Sequence, residues 1–528
     1  MRRPGGYTSA SFGVARVDDL VSNSPPAARA VKLVKVALVI WLAVAMYLQI
    51  DMGLADQGDF LRAIRWFTPG PVGLDATLSS DAPRFYDRYF GCYLPYWRSH
   101  PDGIRHALHT AWGKTSTAWL WFPGVLVNQL AYSDQVFYLP VVSLLPRLLL
   151  FGCLLALFAW IDASHERHKL ALLLLLGVPL VLLLSTTDYL VYLNSFYQET
   201  GSMIYLGLWI ASLLYLKRRP ESPLRGLLCA AALMMLVCAK QSNLYWIPLG
   251  VAFLALVWRP WKQFKRRIVC SAALYAALTG GILGIYSTWT HRSDVAGHAY
   301  HSLFYGILTF SENPSARLTE LGLADHASCV GTNVFGREGN EFLVQHGGQI
   351  SHLDTLRVIW AEPRALPRML KYAVDNLQDI SLDELGKHAP LDPQAKPYAP
   401  SPPEVVVQRR WTQSSTSPLN LWSFVKFHAF PTGNAFLLTI GLYVAVFLAL
   451  LRREGFAADL ALIGLMTAVA CVVDLCMTMC ADGKAGLIKH LFLANLLFDV
   501  ATIAFVAAIG LALLRRLTRH GGTQGGTP

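Results

Sequence analysis

Asp51, Asp56 and Asp59, with Arg62 close behind, follow directly on the first long apolar run of the chain. Acidic groups at the edge of a hydrophobic segment are costly unless they are hydrated, paired or used. A carboxylate in that place can act as general base on an acceptor hydroxyl. An arginine beside it can neutralise a phosphate that leaves with a lipid. Asp56 and Asp59, three residues apart, also offer two ligands to a divalent cation, but two carboxylates do not define a metal site. The metal is left open, and no other cofactor is expected: the chain has no Gly-rich phosphate loop of the Walker type.

Comparable polar residues recur where later apolar runs end. Asp188, Tyr192, Asn194, Tyr197 and Glu199 form one set, and Lys240, Gln241 and Asn243 a second. Asp482, Lys484, Lys489 and His490 form a third, with Asn495 and Asp499 about one and two helical turns deeper. From these the sequence nominates Asp56 and Asp59 as catalytic carboxylates. Arg62, Asn194, Tyr197, Glu199, Lys240, Gln241, His490, Asn495 and Asp499 are nominated to bind donor phosphate or substrate. Each has a structural alternative. Asp56, Asp59 and Arg62 would cap a helix and pair at the interface, and Tyr197 would be an aromatic anchor. Lys240 would snorkel outward, and His490, Asn495 and Asp499 would form an interhelical network. Arg147 and Asp474, inside apolar runs, read as snorkelling or paired structural residues.

These residues need elements to position them. The chain has 528 residues, 54% hydrophobic and 15% charged, with mean hydropathy +0.39. That is too apolar for an ordinary soluble protein. Runs of about 20 apolar residues cross a hydrocarbon core of about 30 Å, and about ten such runs are present. They fall near 34–50, 138–161, 169–186, 201–216, 224–239, 244–258, 268–288, 434–451, 457–478 and 490–514. The expectation is an all-α polytopic membrane protein of about ten spans. Lys and Arg exceed Asp and Glu by 45 − 34 = 11. The excess lies in short loops such as Lys217-Arg218-Arg219, Lys265-Arg266-Arg267 and Arg515-Arg516. That is the positive-inside pattern, not a nucleic-acid surface.

The same rule puts both termini in the cytoplasm and sorts the chain into regions. Residues 1–33 form a flexible cytoplasmic tail, 34–288 hold spans one to seven with a first external loop at 51–137, and 289–433 form a large external α-rich insertion. Residues 434–514 hold spans eight to ten and 515–528 a cytoplasmic tail. Counting the Pro-Gly-interrupted run 116–131 as a span would reverse every later loop, so it reads as interfacial. In the insertion, Asn313-Pro314 opens a helix with Asn as N-cap and Pro in the first turn.

An acidic first loop, many spans and one large external insertion resemble the GT-C glycosyltransferases. The stretches Asn194–Glu199, His301–Leu308, Leu318–Leu323 and Lys489–Asn495 with Asp499 are similar to segments of bacterial GT-C-like membrane proteins of cell-surface glycan assembly. The resemblance implies a GT-C-like arrangement in a bacterial inner membrane and a first-loop catalytic acid, either Asp56 or Asp59. It further implies transfer of a sugar from a polyprenyl-phosphate donor to a glycan or lipid-linked acceptor on the external face. The rival classes are a transporter or flippase and a non-catalytic assembly protein. A transporter should carry internal repeats and spans broken near the midplane, and no convincing repeat is visible. Cys92 and Cys329 are the two cysteines well clear of the spans on the external side, either bridged or two unrelated thiols.

Overall fold

The computed structural model describes residues 25–50, 53–54, 67–68, 96–99, 115–163, 168–257, 292–377, 418–452 and 455–521. They form an all-α membrane protein with one two-stranded sheet. Helix α1 (Pro25–Leu48) starts on a proline pair, whose fixed φ suits a first helical turn. Strand β1 (Tyr96–Arg98) pairs antiparallel with β2 (Val136–Tyr138), and α2 (Thr117–Ala131) lies between them in sequence. The second span was expected to start at 138; helix α3 instead runs Leu144–Asp162. The preceding residues are used for the strand and a short Leu139–Val142 turn.

Helix α4 (Lys169–Ser185) carries one wide turn, Leu173–Gly177, just ahead of Pro179. Proline cannot donate to the carbonyl four residues back, and a π turn absorbs that loss. At Thr186 the backbone becomes extended, and α5 (Thr187–Asn194) leaves at 63° to α4. Helix α6 (Glu199–Arg218) then returns, followed by α7 (Pro223–Val237) and α8 (Trp246–Val257).

The end of α7 lies inside the protein. Thr115 and Thr117 donate their hydroxyls to the Ala239 carbonyl at 2.7 and 3.1 Å, and Ser116 to Met235 at 2.6 Å. These satisfy carbonyls that a helix terminus leaves orphaned. The close packing there needs Gly201, where a Cβ would fall 2.1 Å from the Thr117 hydroxyl.

In the large insertion, α9 (Arg292–Leu303), α10 (Pro314–Glu320), α11 (Arg337–His346), α12 (His352–Ala361) and α13 (Ala365–Asp375) form a helical unit. Asn313 caps α10 as expected, its Oδ1 accepting from Ala316 N at 3.1 Å with Pro314 in the first turn. Helix α14 (Leu421–Ala429) leads into α15 (Gly433–Leu451), α16 (Phe456–Asp482), the single turn α17 (Leu487–His490) and α18 (Phe492–Gly521).

The insertion is clamped to the turn between α16 and α18. Gly483 has φ +57°, and a Cβ there would meet His301 O at 2.6 Å and Gly306 Cα at 2.8 Å. Only glycine suits both the left-handed backbone and that close approach. Lys484 N donates to Tyr305 O, and the Ser302 hydroxyl lies between Thr355 and the Cys480 carbonyl.

Among the described residues, six helices are long and apolar enough to cross a membrane, or seven if α4 and α5 count as one bent span. Helices α7 and α8 are shorter, at 15 and 12 residues. The expected span at 268–288 lies outside the described residues. The expectation of about ten spans is thus met only in its class.

Cys329 is a free, buried thiol whose Sγ lies 3.9 Å from the Glu338 carbonyl. Cys92 itself lies outside the described residues.

Within the insertion, His301 is buried, and its Nε2 accepts a hydrogen bond from Val334 N at 3.2 Å. Burial holds this imidazole below its ordinary range, partly opposed by the Asn333 side chain and the nearby Asp482. The unfolded chain therefore binds the extra proton first, so this contribution to stability falls as pH drops below about 6.5. Amide exchange over residues 333–336, corrected for intrinsic rates, is expected to accelerate between pH 7 and pH 5. Unchanged protection would mean that the fold accommodates the charged ring.

Candidate functional site at one end of the bundle

The helices sort their charged residues to two ends. At one end Lys35 pairs with Asp162 and Lys217 with Asp459, Arg218 donates to the Trp160 carbonyl, and the rings of Trp160 and Phe456 lie 3.9 Å apart. The opposite end of the same helices carries the residues nominated for chemistry.

There Glu199 starts α6, where a carboxylate is favoured by the helix N-terminus. Lys240, extended beyond the end of α7, places Nζ 2.8 Å from Glu199 Oε1 and 3.0 Å from His490 Nδ1. His490 Nδ1 is 3.6 Å from Asp482 Oδ2, and Asp482 Oδ1 is 2.7 Å from His298 Nδ1. A continuous chain of ion pairs and hydrogen bonds thus joins α6, the α7–α8 link, the α16–α18 turn and the insertion. Glu199 and Asp482 are buried.

A second cluster lies deeper. Lys426 of α14 reaches Asn495 Oδ1 at 2.9 Å and Asp499 Oδ1 at 2.8 Å. The contact to Asp499 Oδ1 is ionic and off the hydrogen-bond direction, whereas Tyr189 OH donates an aligned bond to Oδ2 at 2.6 Å. Lys426 also lies 5.7 Å from the centre of the Phe436 ring and 5.6 Å from that of Phe498. Asp188 accepts from the Ser423 hydroxyl at 2.7 Å. The Nζ of Lys489 stands 5.3 Å over the Tyr197 ring.

Asn194 stands in a third group. Its Nδ2 donates to Gln49 O at 2.9 Å, and its Oδ1 accepts from Arg147. Gln49 in turn donates to the Ser185 carbonyl at 3.0 Å. Gln49, the residue just past α1, is therefore held at this same end.

Glu199, Lys240 and His490 are thus brought together, Asn495 and Asp499 share the deeper cluster, and Asn194 and Tyr197 flank them. Gln241 opens the short Gln241–Tyr245 turn beside Lys240. Asp56, Asp59 and Arg62 lie outside the described residues. His298, Lys426 and Tyr189 were not nominated from sequence. Lys426 carries a faint signal, a lone lysine among aromatic residues in Trp422–Phe427. Among the described residues, no three His, Cys, Asp or Glu side chains are grouped to hold a metal ion.

No curated protein and no solved structure matches the chain. One family model does, over residues 16–524, nearly the full length described above. The chain belongs to the family described as the YfdI N-terminal transmembrane domain.

Proposed function

We propose that this protein is a GT-C-type glycosyltransferase that moves a sugar from a polyprenyl-phosphate donor to a cell-envelope glycan or lipid-linked acceptor. The observation that carries the reading is the chain of ion pairs and hydrogen bonds Glu199–Lys240–His490–Asp482–His298 at one end of the spans, in which the carboxylates Glu199 and Asp482 are buried. Burying charges costs several kcal/mol per ion unless partners offset it, and short loops need none of them.

In this reading the acceptor oxygen attacks the anomeric carbon as a first-loop carboxylate, Asp56 or Asp59, takes its proton. The bond from that carbon to the phosphate oxygen breaks, and its electron pair leaves with the polyprenyl phosphate. Arg62 and the lysines at this end offset the phosphate charge. His298 and Asp482 join the insertion to the site and hold it as a cap.

The network end faces outward and the Lys35, Lys217 and Arg218 end faces the cytoplasm of a bacterial inner membrane, in keeping with the positive-inside rule. Reporter fusions after Arg453 are expected to report cytoplasm, and fusions near Asp325 the outside. The reverse pattern would place the site on the wrong face for an external acceptor.

Mass spectrometry of a deletion strain tests the activity. Loss of one envelope-glycan substituent with accumulation of a polyprenyl-linked sugar is the expected result. An unchanged glycan and lipid-linked pool would remove the reading.

A further inference from the structure

An apolar cavity of about 490 Å³ lies between α3, α4, α6, α16 and α18, away from the ionic chain. It extends along α6 from Met203 to Arg218, about 22 Å at a helical rise of roughly 1.5 Å per residue. That length fits within the ~30 Å hydrocarbon core. The two ends differ in chemistry. Toward the ionic chain the lining is Leu184, Met203 and Leu496, with no polar group to meet a head. At the other end it is Trp160, Tyr215 and Arg218, and Arg218 is the one charged side chain among the described residues that line it.

A second guanidinium stands at this mouth. Arg225 stacks on the Tyr215 ring, 3.6 Å from its centre, and donates to the Tyr215 carbonyl at 2.8 Å. Arg225 and Arg218 are close enough to repel each other. Asp459 attracts Arg218 but is itself in contact with Lys217. Two like charges converging on the polar mouth of an apolar cavity favour a ligand with an anionic head and an apolar tail. Basic pockets between helices on the cytoplasmic side suit anionic lipid head groups, and the surrounding leaflet supplies them.

We infer that this cavity is a binding site for an anionic phospholipid, with one acyl chain between the helices and the phosphate held by Arg218 and Arg225. The site does not depend on the transfer reaction at the other end.

Native mass spectrometry of the full chain, released from nanodiscs of mixed phosphatidylglycerol and phosphatidylcholine, tests it. Retention of phosphatidylglycerol over phosphatidylcholine is expected. Arg218→Gln with Arg225→Gln should weaken that retention by about 25-fold, at roughly fivefold per arginine. Ala211→Phe, which fills the cavity and leaves both arginines, should abolish it, with folding checked by size-exclusion profile. Equal retention of the two lipids, or retention untouched by both variants, would overturn the site. Preferential capture of added polyprenyl phosphate would overturn the assignment of a phospholipid as its occupant.

Discussion

Asp56→Asn or Asp59→Asn is expected to lower sugar transfer by about 100- to 10,000-fold, the usual cost of removing a general base. The two variants should differ, because one carboxylate takes the proton and the other does not. Both should insert and fold normally, since the described network is closed by other residues. Asn194 and the Ser185 carbonyl hold Gln49, two residues ahead of Asp51 in the chain, by hydrogen bonds. Quantifying product by mass spectrometry in complemented deletion cells, with membrane levels matched, checks it. Full transfer by both variants would make the loop structural.

Lys426→Met is expected to destabilise the protein by about 3–5 kcal/mol, the cost of breaking a buried ion pair from one side. Both side chains are almost wholly inaccessible, at 3% for Lys426 and 1% for Asp499. Solvent therefore offers Asp499 little relief, and Tyr189 alone is left to hold it. Lys426→Met combined with Asp499→Asn should recover most of the loss, because it removes the charge left without a counterion. Thermal unfolding in detergent, followed by scanning fluorimetry, separates the cases. Equal losses in the single and double variants would mean that packing of the lysine stem, not charge, sets the effect.

How far the sequence could be read follows from these same residues. The apolar runs were legible because membrane insertion selects on composition alone. Glu199, Lys240 and His490 could be nominated together because each lies where an apolar run ends. Lys426 could not be, since its partner Asp499 lies far along the chain and its helix reads as an aromatic anchor. His298 was hidden similarly: its link to Asp482 depends on how the insertion docks, and Gly483 and Gly306 decide that by backbone contact. The start of α3 was placed early because Leu139–Val142 is as apolar as a span but forms a separate short turn ahead of it. Helix α7 is short because Thr115, Ser116 and Thr117 satisfy its last carbonyls from a distant part of the chain. Hydropathy does not register such contacts.

The most direct test of the central claim follows one labelled sugar. The purified protein in nanodiscs is mixed with polyprenyl-phosphate sugars radiolabelled in the sugar and with envelope acceptors from a deletion strain. Label is expected to pass from the lipid fraction into the glycan fraction, with free polyprenyl phosphate released in equal amount. Label that stays on the lipid, as it does with empty nanodiscs, would contradict a glycosyltransferase.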